Sequence, residues 1–440
     1  MLTKEQILKE FTKTKVDDSW SFEQTKPSQR GKWTHSYHRY PAKFIPQIVE
    51  KLMDEYLDKT EFASINDPFY GCGTTIVSAI ARGYYASGTD INRIAYLITK
   101  VKATPLEPKK LENRVKDFLA RVKVLDSQQK TLIDDFNLEP VIPEKHLDRI
   151  NYWFDEETKT TLGKILHLIQ LEEDEKTRDF LKVAFSHSLK NCSFWLQSST
   201  KPTRDKQKTI PKPFDVLKRH LNKMLRGNRA FYNVVPKEVR ENIDKYLNVV
   251  IGDARKQPIK DASVDLTITS SPYVTSYEYA DLHQLSTLWL DLADDLTEYK
   301  KEFIGTAYKK YEGKEVRSSI GKEIVEKMKQ KEKKLAKNIE AYFIDMQEVF
   351  DETARILKSN GRCCFVIGNT KLKGVEILNA EVFAENLGFS GLTLERIIKR
   401  EIHSKLLPQK RDEKTGQFAS NENADTEAYP VEYIIIGKKE

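Results

Sequence analysis

The sequence lacks a long apolar run. None of its 440 residues falls in a stretch of 18 consecutive apolar residues, so no membrane-spanning helix is expected. The opening MLTKEQILKEFTKTK holds no apolar segment, so no secretory signal is expected. Cysteine is scarce. Cys72, Cys192, Cys363 and Cys364 sit at spacings that fit neither a zinc site nor a disulfide framework, and reduced thiols in a cytoplasmic protein are the plain reading. Two glycine fingerprints are missing. Without GxGxxG the usual dinucleotide-dehydrogenase loop is excluded, and without GxxxxGK[ST] so is a Walker P-loop. No internal repeat is evident.

What is present is charge, unevenly placed. Charged residues make up 32% of the chain and hydrophobic residues 39%, enough for a sizeable core with large solvated faces. From 197 to 229 ten Lys and Arg face two Asp, a net of +8 in a chain whose total is +7, so the remainder sums to −1. The basic excess lies in one segment, as expected of a polyanion-binding surface. A solvated loop with a basic helix is the plainer alternative.

The length fits two or three domains. Residues 1–30 are polar and read as a peripheral segment. Residues 31–103 read as an α/β half: the strand FASINDPF, a turn YGCG, a helix from Thr74 to Arg82 stopped by Gly83, and the strand YYASGTD. That is a βαβ unit of parallel-sheet type. Residues 104–247 break the alternation. They read as amphipathic helices near 107–124, 157–170, 174–190, 214–226 and 236–247, a helical insertion. The α/β pattern returns over 248–440 with NVVIGDA and VDLTITSSPY. A charged helical stretch at 292–338 reads as an exposed insertion. Then follow a helix to Leu357, the strand CCFVIGNT, a helix near 377–386, and the strands LTLERIIKRE and VEYIIIGKK around a polar loop at 404–429. Two such closing strands suggest an antiparallel hairpin at the edge of the sheet.

The turn after FASINDPF carries the first chemistry. Gly71 and Gly73 let a ligand approach the backbone where a side chain would block it. The helix from Thr74 offers its N-terminal amides to an anion. Asp90 ends the next strand, where doubly wound folds place an acid on ribose hydroxyls; its plainer role is a helix cap. Asp253 follows NVVIG and is placed to accept from an adenine amine.

These residues resemble a known family. DPFYGCGTT (Asp67, Pro68, Phe69, Gly71, Gly73, Thr74, Thr75) is similar to the cofactor motif of the DNA amino-methyltransferases, usually DPFxGxGTT. GTDIN, with Asp90 and Ile91, resembles their ribose motif, and GDA, with Asp253 and Ala254, their adenine motif. SYHRYPAKFIP, with Tyr40, Pro41, Ala42, Lys43 and Phe44, resembles the cofactor-side motif that precedes the glycine loop. The resemblance covers 31–103 and 248–290 well and 340–440 more loosely. It implies a Rossmann-like S-adenosylmethionine-dependent methyltransferase fold, a mostly parallel sheet with a C-terminal antiparallel hairpin plus the helical insertion. It also implies S-adenosyl-L-methionine as cofactor, no metal, and double-stranded DNA as substrate.

SSPY (Ser270, Ser271, Pro272, Tyr273) supplies the reacting half. An exocyclic amine on a base is a poor nucleophile because its lone pair is delocalised. Acceptors on the amine hydrogens draw it toward tetrahedral geometry, and positioning is worth roughly 7–11 kcal/mol. Ser270 offers a hydroxyl, Ser271 a carbonyl, Pro272 a stiff turn, and Tyr273 a face for an extruded base. The family's motif is (Asp/Asn/Ser)-Pro-Pro-(Tyr/Phe/Trp). Serine in first place resembles the cytosine-N4 group, while Asp or Asn is usual for adenine-N6. Ser271 departs from the pattern by replacing the first proline. A cytosine-C5 enzyme needs a Pro-Cys nucleophile motif, and no such dipeptide occurs. In VTSYEYADLHQLSTLWL, Leu282, Leu285 and Trp289 read as core and His283 as a structural hydrogen-bonder. Cys72 reads as a small filler.

The expectation is therefore a cytosine-N4 DNA methyltransferase, bacterial, archaeal or phage-encoded, in a restriction or defence system with a cognate endonuclease. Adenine-N6 methylation is the enzymatic alternative. RNA methylation is less favoured, and an inactive DNA-binding module of the same fold is the reading of another class. The insertion is the candidate target-recognition region. Its Lys201, Arg204, Lys206, Lys208, Lys212, Lys218, Arg219, Lys223, Arg226 and Arg229 are candidates for phosphate contact, with Gln197, Ser198 and Ser199 as possible polar contacts.

Overall fold

The structure is a computed structural model and describes residues 2–40, 44–57, 62–126, 138–199, 201–274, 279–305, 311, 313–402, 410–411, 426–427 and 431–440. In chain order, helix α1 (Lys4–Lys13) and helix α2 (Pro46–Tyr56) precede strand β1 (Ser64–Asp67). Helix α3 (Thr74–Ala81) leads to β2 (Tyr85–Asp90), and α4 (Arg93–Ala103) follows. The insertion holds α5 (Pro108–Asp126), α6 (Leu147–Trp153), α7 (Glu156–Gln170), α8 (Glu175–Leu189) and α9 (Pro213–Val234). Strands β3 (Leu247–Ile251) and β4 (Val264–Ser270) come next, then α10 (Gln284–Trp289), α11 (Ser319–Lys329) and α12 (Lys333–Ile356). Strand β5 (Leu357–Ile367), α13 (Asn379–Phe389), β6 (Leu392–Glu401) and β7 (Val431–Lys439) close the chain.

The seven strands form one sheet in the order β3-β2-β1-β4-β5-β7-β6. The first five are parallel. Strand β7 inserts between β5 and β6 and runs antiparallel to both. The closing hairpin is thus present, with its second strand on the inside. The chain winds outward in both directions from β1 and β4, so the switch point of the sheet lies between them. In open α/β sheets ligands bind at that point, beyond the carboxyl ends of the strands.

Alternation along the strands explains the two-sided core. Cys363, Phe365 and Ile367 point to one face, with Phe343, Phe350 and Phe383 of the covering helices. Cys364 and Val366 point to the other, with Ile76, Ile80, Ile48 and Leu52. Adjacent Cys363 and Cys364 therefore lie on opposite faces, and all four cysteines are free and buried.

Several boundaries differ from the sequence reading, each for a physical reason. Helix α9 runs on to Val234, past the expected end near 226. Gly227 does not stop it; a Cβ there would lie 2.4 Å from the Trp33 carbonyl, so the glycine serves close packing. The stretch 236–247 is two short helices, Lys237–Glu241 and Ile243–Tyr246, running directly into β3. The charged stretch 292–338 is not simply solvated. Ile320, Ile324, Val325 and Met328 of α11 and Ala336 and Ile339 of α12 are buried, and α12 continues well past 338. Residues 2–30 are docked rather than peripheral: Ile7 and Phe11 are buried, the Phe11 ring meets Tyr433 edge-on at 5.2 Å, and Trp20 has no solvent exposure. Most of the 404–429 loop lies outside the described residues; within it, Lys410–Arg411 pairs antiparallel with Thr426–Glu427. No helix among the described residues is long and apolar enough to cross a membrane.

The insertion shares its core with the rest. Phe118, Leu166, Phe180 and Met224 pack in one cluster with Ile94 and Ile98 of α4 and Leu285, Leu288 and Trp289 of α10. Trp289 meets Phe154 edge-on at 5.5 Å and Phe185 at 5.8 Å.

Candidate active site

The glycine turn is built to leave room. Gly71 and Gly73 have φ of +49° and +72°, which favour glycine. A Cβ on Gly71 would sit 3.3 Å from the Tyr40 ring, and one on Gly73 would sit 2.7 Å from Thr99. Gly73 caps α3, so the amides of the first turn of α3, beginning at Thr74, are left without intrahelical partners. Thr74 Oγ1 donates to the Phe44 carbonyl at 3.2 Å and Thr75 Oγ1 to the Ile268 carbonyl at 3.2 Å, which fixes the start of α3 against β4.

Helix α4 holds the turn from the other side. Thr99 Oγ1 donates to the Gly71 carbonyl at 3.0 Å, and one turn later the Lys102 ammonium donates to the Cys72 carbonyl. Lys102 is only 1% exposed. In a trans peptide the N–H opposes the C=O. Turning the Gly71 carbonyl toward α4 therefore turns the Cys72 amide away from it. Cys72 itself is a buried filler, its Sγ 3.7 Å from Thr74 Oγ1.

Two carboxyls flank the turn. Asp90, at the end of β2, accepts from the Gly71 amide at 2.8 Å and from the Asn92 amide at 2.8 Å. It is not the cap of α4; Asn92 is, accepting from Ile94 at 3.2 Å. Burial raises the Asp90 carboxyl to about 6, against those two amides. Asp67, at the end of β1, accepts from the Phe69 amide at 3.1 Å and from Thr269 Oγ1 at 2.6 Å. Burial raises it to about 7. Pro68 is tied to β2 through its carbonyl, which accepts from Thr89 Oγ1 at 3.1 Å, and Phe69 packs at the edge of the core. Ile91 is half-buried at the rim. Asp253 lies beyond β3 with both carboxylate oxygens on Arg255, at 3.0 and 2.5 Å, and Arg255 also pairs with fully buried Asp345. Ala254 is buried beside it. Tyr40 lies over the turn with its ring tilted at 31° against His283, ring centroids 4.8 Å apart. Pro41, Ala42 and Lys43 lie outside the described residues.

The second half of the site leaves the neighbouring strand. β1 and β4 pair in parallel, Asn66 opposite Thr267, so SSPY emerges beside the glycine turn. The Thr269–Asp67 hydrogen bond joins the two motifs directly. Ser270 ends β4, half-buried. Ser271 is buried, and its hydroxyl has no hydrogen-bond partner among the described residues. The Pro272 carbonyl accepts from Tyr342 Oη at 2.7 Å. Tyr273 Oη donates to Glu432 Oε1 at 2.8 Å, and Glu432 pairs with buried Arg400. Arg400 in turn donates to the Trp20 carbonyl at 2.8 Å and the Ser21 carbonyl at 3.3 Å. Beyond SSPY, Leu285 and Trp289 are core as expected, but Leu282 is half-buried. His283 breaks the helix into two pieces. Its Nε2 is buried without a hydrogen-bond partner among the described residues, its ring lies tilted against that of Tyr40, and burial lowers it to about 3.

The basic candidates separate by geometry. Lys201, Lys206, Lys212, Lys218, Arg219, Lys223 and Arg226 are exposed. Lys208 is committed to the fold: its ammonium donates to the carbonyls of Lys190, Ser193 and Trp195 at 2.8, 2.6 and 2.9 Å. Arg204 lies over the Tyr152 ring at 4.4 Å and Phe194 at 5.4 Å. Arg229 is paired with Glu112. Ser199 bonds internally through Lys201 and Thr203, and Gln197 donates to Asn191 at 3.1 Å, while Ser198 is exposed. Sequence reasoning missed Thr99, Lys102, Thr269, Glu432 and Arg39. Only Thr269, next to SSPY on its strand, carried a local signal.

This sheet order, with a glycine turn after the first strand and an acid after the second, is the Rossmann-like fold of S-adenosylmethionine-dependent methyltransferases. Its residues fit that cofactor: a cradle that a Cβ would fill, unpaired amides of α3, and two carboxyls for a cationic ligand with ribose hydroxyls. S-adenosylmethionine is the cofactor.

Among known proteins the chain is a homologue of type II DNA methyltransferases. Type II methyltransferase M.MvaI of Kocuria varians is 28% identical over 86% of this chain and 86% of its own. M.MjaII of Methanocaldococcus jannaschii is 22% identical over 88% and 80%, and M.BsoBI of Geobacillus stearothermophilus 23% identical over 84% and 81%. No protein-family model matches the chain. Geranyl diphosphate methyltransferase bound to its cofactor aligns over 94% of this chain and 97% of its own at 8% identity, but with a TM-score of 0.33 that likeness carries no functional weight.

Proposed function

We propose that the chain methylates DNA site-specifically, transferring the methyl group of S-adenosylmethionine to the exocyclic N4 amine of a cytosine extruded from the duplex. The observation that carries this is the pairing of β1 with β4, which brings SSPY out beside the glycine turn at the switch point of the sheet. The similarity to type II methyltransferases over most of the chain supports DNA as substrate.

The cofactor supplies a methyl group on a cationic sulfur. The chain supplies placement. Ser270 Oγ and the Ser271 carbonyl accept the amine hydrogens and draw the nitrogen toward tetrahedral geometry. Tyr273, held at its hydroxyl by Glu432, presents its ring to the base. Tyr342 fixes the Pro272 carbonyl, stiffening the turn in which Ser271 replaces the usual proline. No covalent enzyme intermediate is required. Serine at the head of the motif favours cytosine over adenine. A modification role in the cytoplasm beside a cognate endonuclease belongs to the same proposal.

The test is incubation of the protein with labelled S-adenosylmethionine and mixed-sequence duplex DNA, followed by digestion to nucleosides and mass spectrometry. N4-methylcytosine is expected. N6-methyladenine would overturn the base assignment, and label on RNA alone would overturn DNA as substrate. Ser270→Ala should lower turnover far more than cofactor affinity; equal losses would make Ser270 a structural residue.

A further inference from the structure

We propose that Arg39, Lys190, Lys223 and Arg226 form one phosphate-binding surface that grips the DNA backbone beside the extruded nucleotide. This inference rests on the DNA reading above and gives that reading a place on the molecule.

Three chain segments build the surface. Arg39 precedes Tyr40, which covers the glycine turn. Lys190 ends α8. Lys223 and Arg226 lie one turn apart on α9 and so share a face. The Arg39 amide donates to His187 Nδ1 at 3.3 Å, and its guanidinium donates to Asn191 Oδ1 at 2.9 Å. His187 of α8 stacks flat on His220 of α9, ring centroids 3.6 Å apart. That stack brings the segment of Arg39, the end of α8 and the face of α9 together.

The charges there are uncompensated. Among the described residues none of the four cations has a carboxylate within ion-pair distance. Their neighbours on the same helices do: Lys182 of α8 pairs with Asp179, and Arg229 of α9 with Glu112. Nor do the histidines beneath add or relieve charge. Burial holds His220 at about 3 and His187 well below its ordinary value, so both are neutral at working pH. The repulsion is felt: burial first, then the Arg39 charge, lowers the ammonium of Lys190 to about 8 and lowers Lys223 as well. Crowded like charges cost stability unless a polyanion meets them. Arg39 sits one residue from the ring over the cofactor turn, so the phosphates met there flank the reacting nucleotide. The basic patch legible in the sequence is thus redrawn: Lys208 and Arg229 leave it, and Arg39 and Lys190 join it.

The test compares the wild type with the triple variant Arg39→Gln, Lys223→Gln, Arg226→Gln. Lys190 is left in place because it also donates to the Ser199 carbonyl at 2.7 Å. Binding of a mixed-sequence duplex, with S-adenosylhomocysteine present, is followed by fluorescence anisotropy across a salt series. Each phosphate contact contributes about 0.9 to the slope of log K against log salt, so the variant should lose roughly 2–3 from that slope and at least about tenfold in affinity. Its affinity for S-adenosylhomocysteine and its melting temperature should hold. A control variant, Lys327→Gln, Lys333→Gln, Lys337→Gln, on exposed positions of α11 and α12, should keep the wild-type slope. If the wild type methylates DNA and the triple variant keeps its slope, this surface is wrong and the function stands. If the wild type neither binds nor methylates DNA, the function itself is wrong.

Discussion

Lys102 breaks an ordinary rule at the scale of one residue. A lysine with 1% exposure gives up the hydration that an ammonium normally keeps. What it gains is a hydrogen bond to the Cys72 carbonyl, inside the glycine turn proposed to receive the cofactor. We expect Lys102→Met to weaken S-adenosylmethionine binding on the order of tenfold. Titration calorimetry reads the affinity and a thermal melt reads the fold; a lower melting temperature with unchanged affinity would make Lys102 purely structural. Asp67 is the complementary case. Burial raises its carboxyl to about 7, above an unfolded value of about 3.9. The folded state therefore binds the extra proton between those values, and the stability that Asp67 contributes is fully present below about 4 and is lost as pH rises toward 7. Asp67→Asn should remove on the order of 2–4 kcal/mol of that fall. Denaturation at about pH 5 and about pH 8 measures it, and an unchanged slope in the variant would assign the dependence to other groups.

Elements far apart in sequence meet behind the SSPY turn. Glu432 of β7 accepts from Tyr273 and pairs with Arg400 of β6, and Arg400 holds the carbonyls of Trp20 and Ser21. The N-terminal segment thereby reaches SSPY through the last two strands of the sheet. Breaking a buried pair leaves a charge without its partner, so Glu432→Leu should cost about 3 kcal/mol. It should also lower kcat more than it weakens cofactor binding, because Tyr273 loses its anchor. Turnover equal to wild type would mean the Tyr273 ring is held by packing alone. Phe11 of α1 offers a contrast. Its ring is buried against Tyr433, and Phe11→Ala should cost about 3 kcal/mol while leaving cofactor affinity intact, as chemical denaturation and calorimetry would show.

At the scale of the whole molecule the helical insertion is not an independent unit. Its core includes Ile94 and Ile98 from α4 and Leu285, Leu288 and Trp289 from α10. Removed from them, residues 104–246 expose an apolar face that nothing else covers. We expect that fragment, expressed alone, to show no strongly protected amides in hydrogen exchange, whereas the same amides are protected in the full chain. A protected core in the fragment would show that the insertion folds by itself. The shared core also fixes α8 and α9, and with them Lys190, Lys223 and Arg226 of the proposed phosphate surface, relative to the glycine turn.

The amino-acid sequence by itself determined the class of fold and the two motifs of the site. Those signals are local: a glycine turn between a strand and a helix, an acid at the next strand end, a Ser-Pro turn after a buried strand. They depend on backbone conformation and on alternation over a few residues, which neighbouring side chains dictate. The tertiary structure decided which of the charged residues are available. Lys206 and Lys208 look alike in the chain, yet one is exposed and the other is bonded to three carbonyls. Lys102 and Arg39 carried no mark of their places. Whether a cation faces solvent, a carbonyl or another cation depends on segments tens to hundreds of residues away, and only packing brings those together.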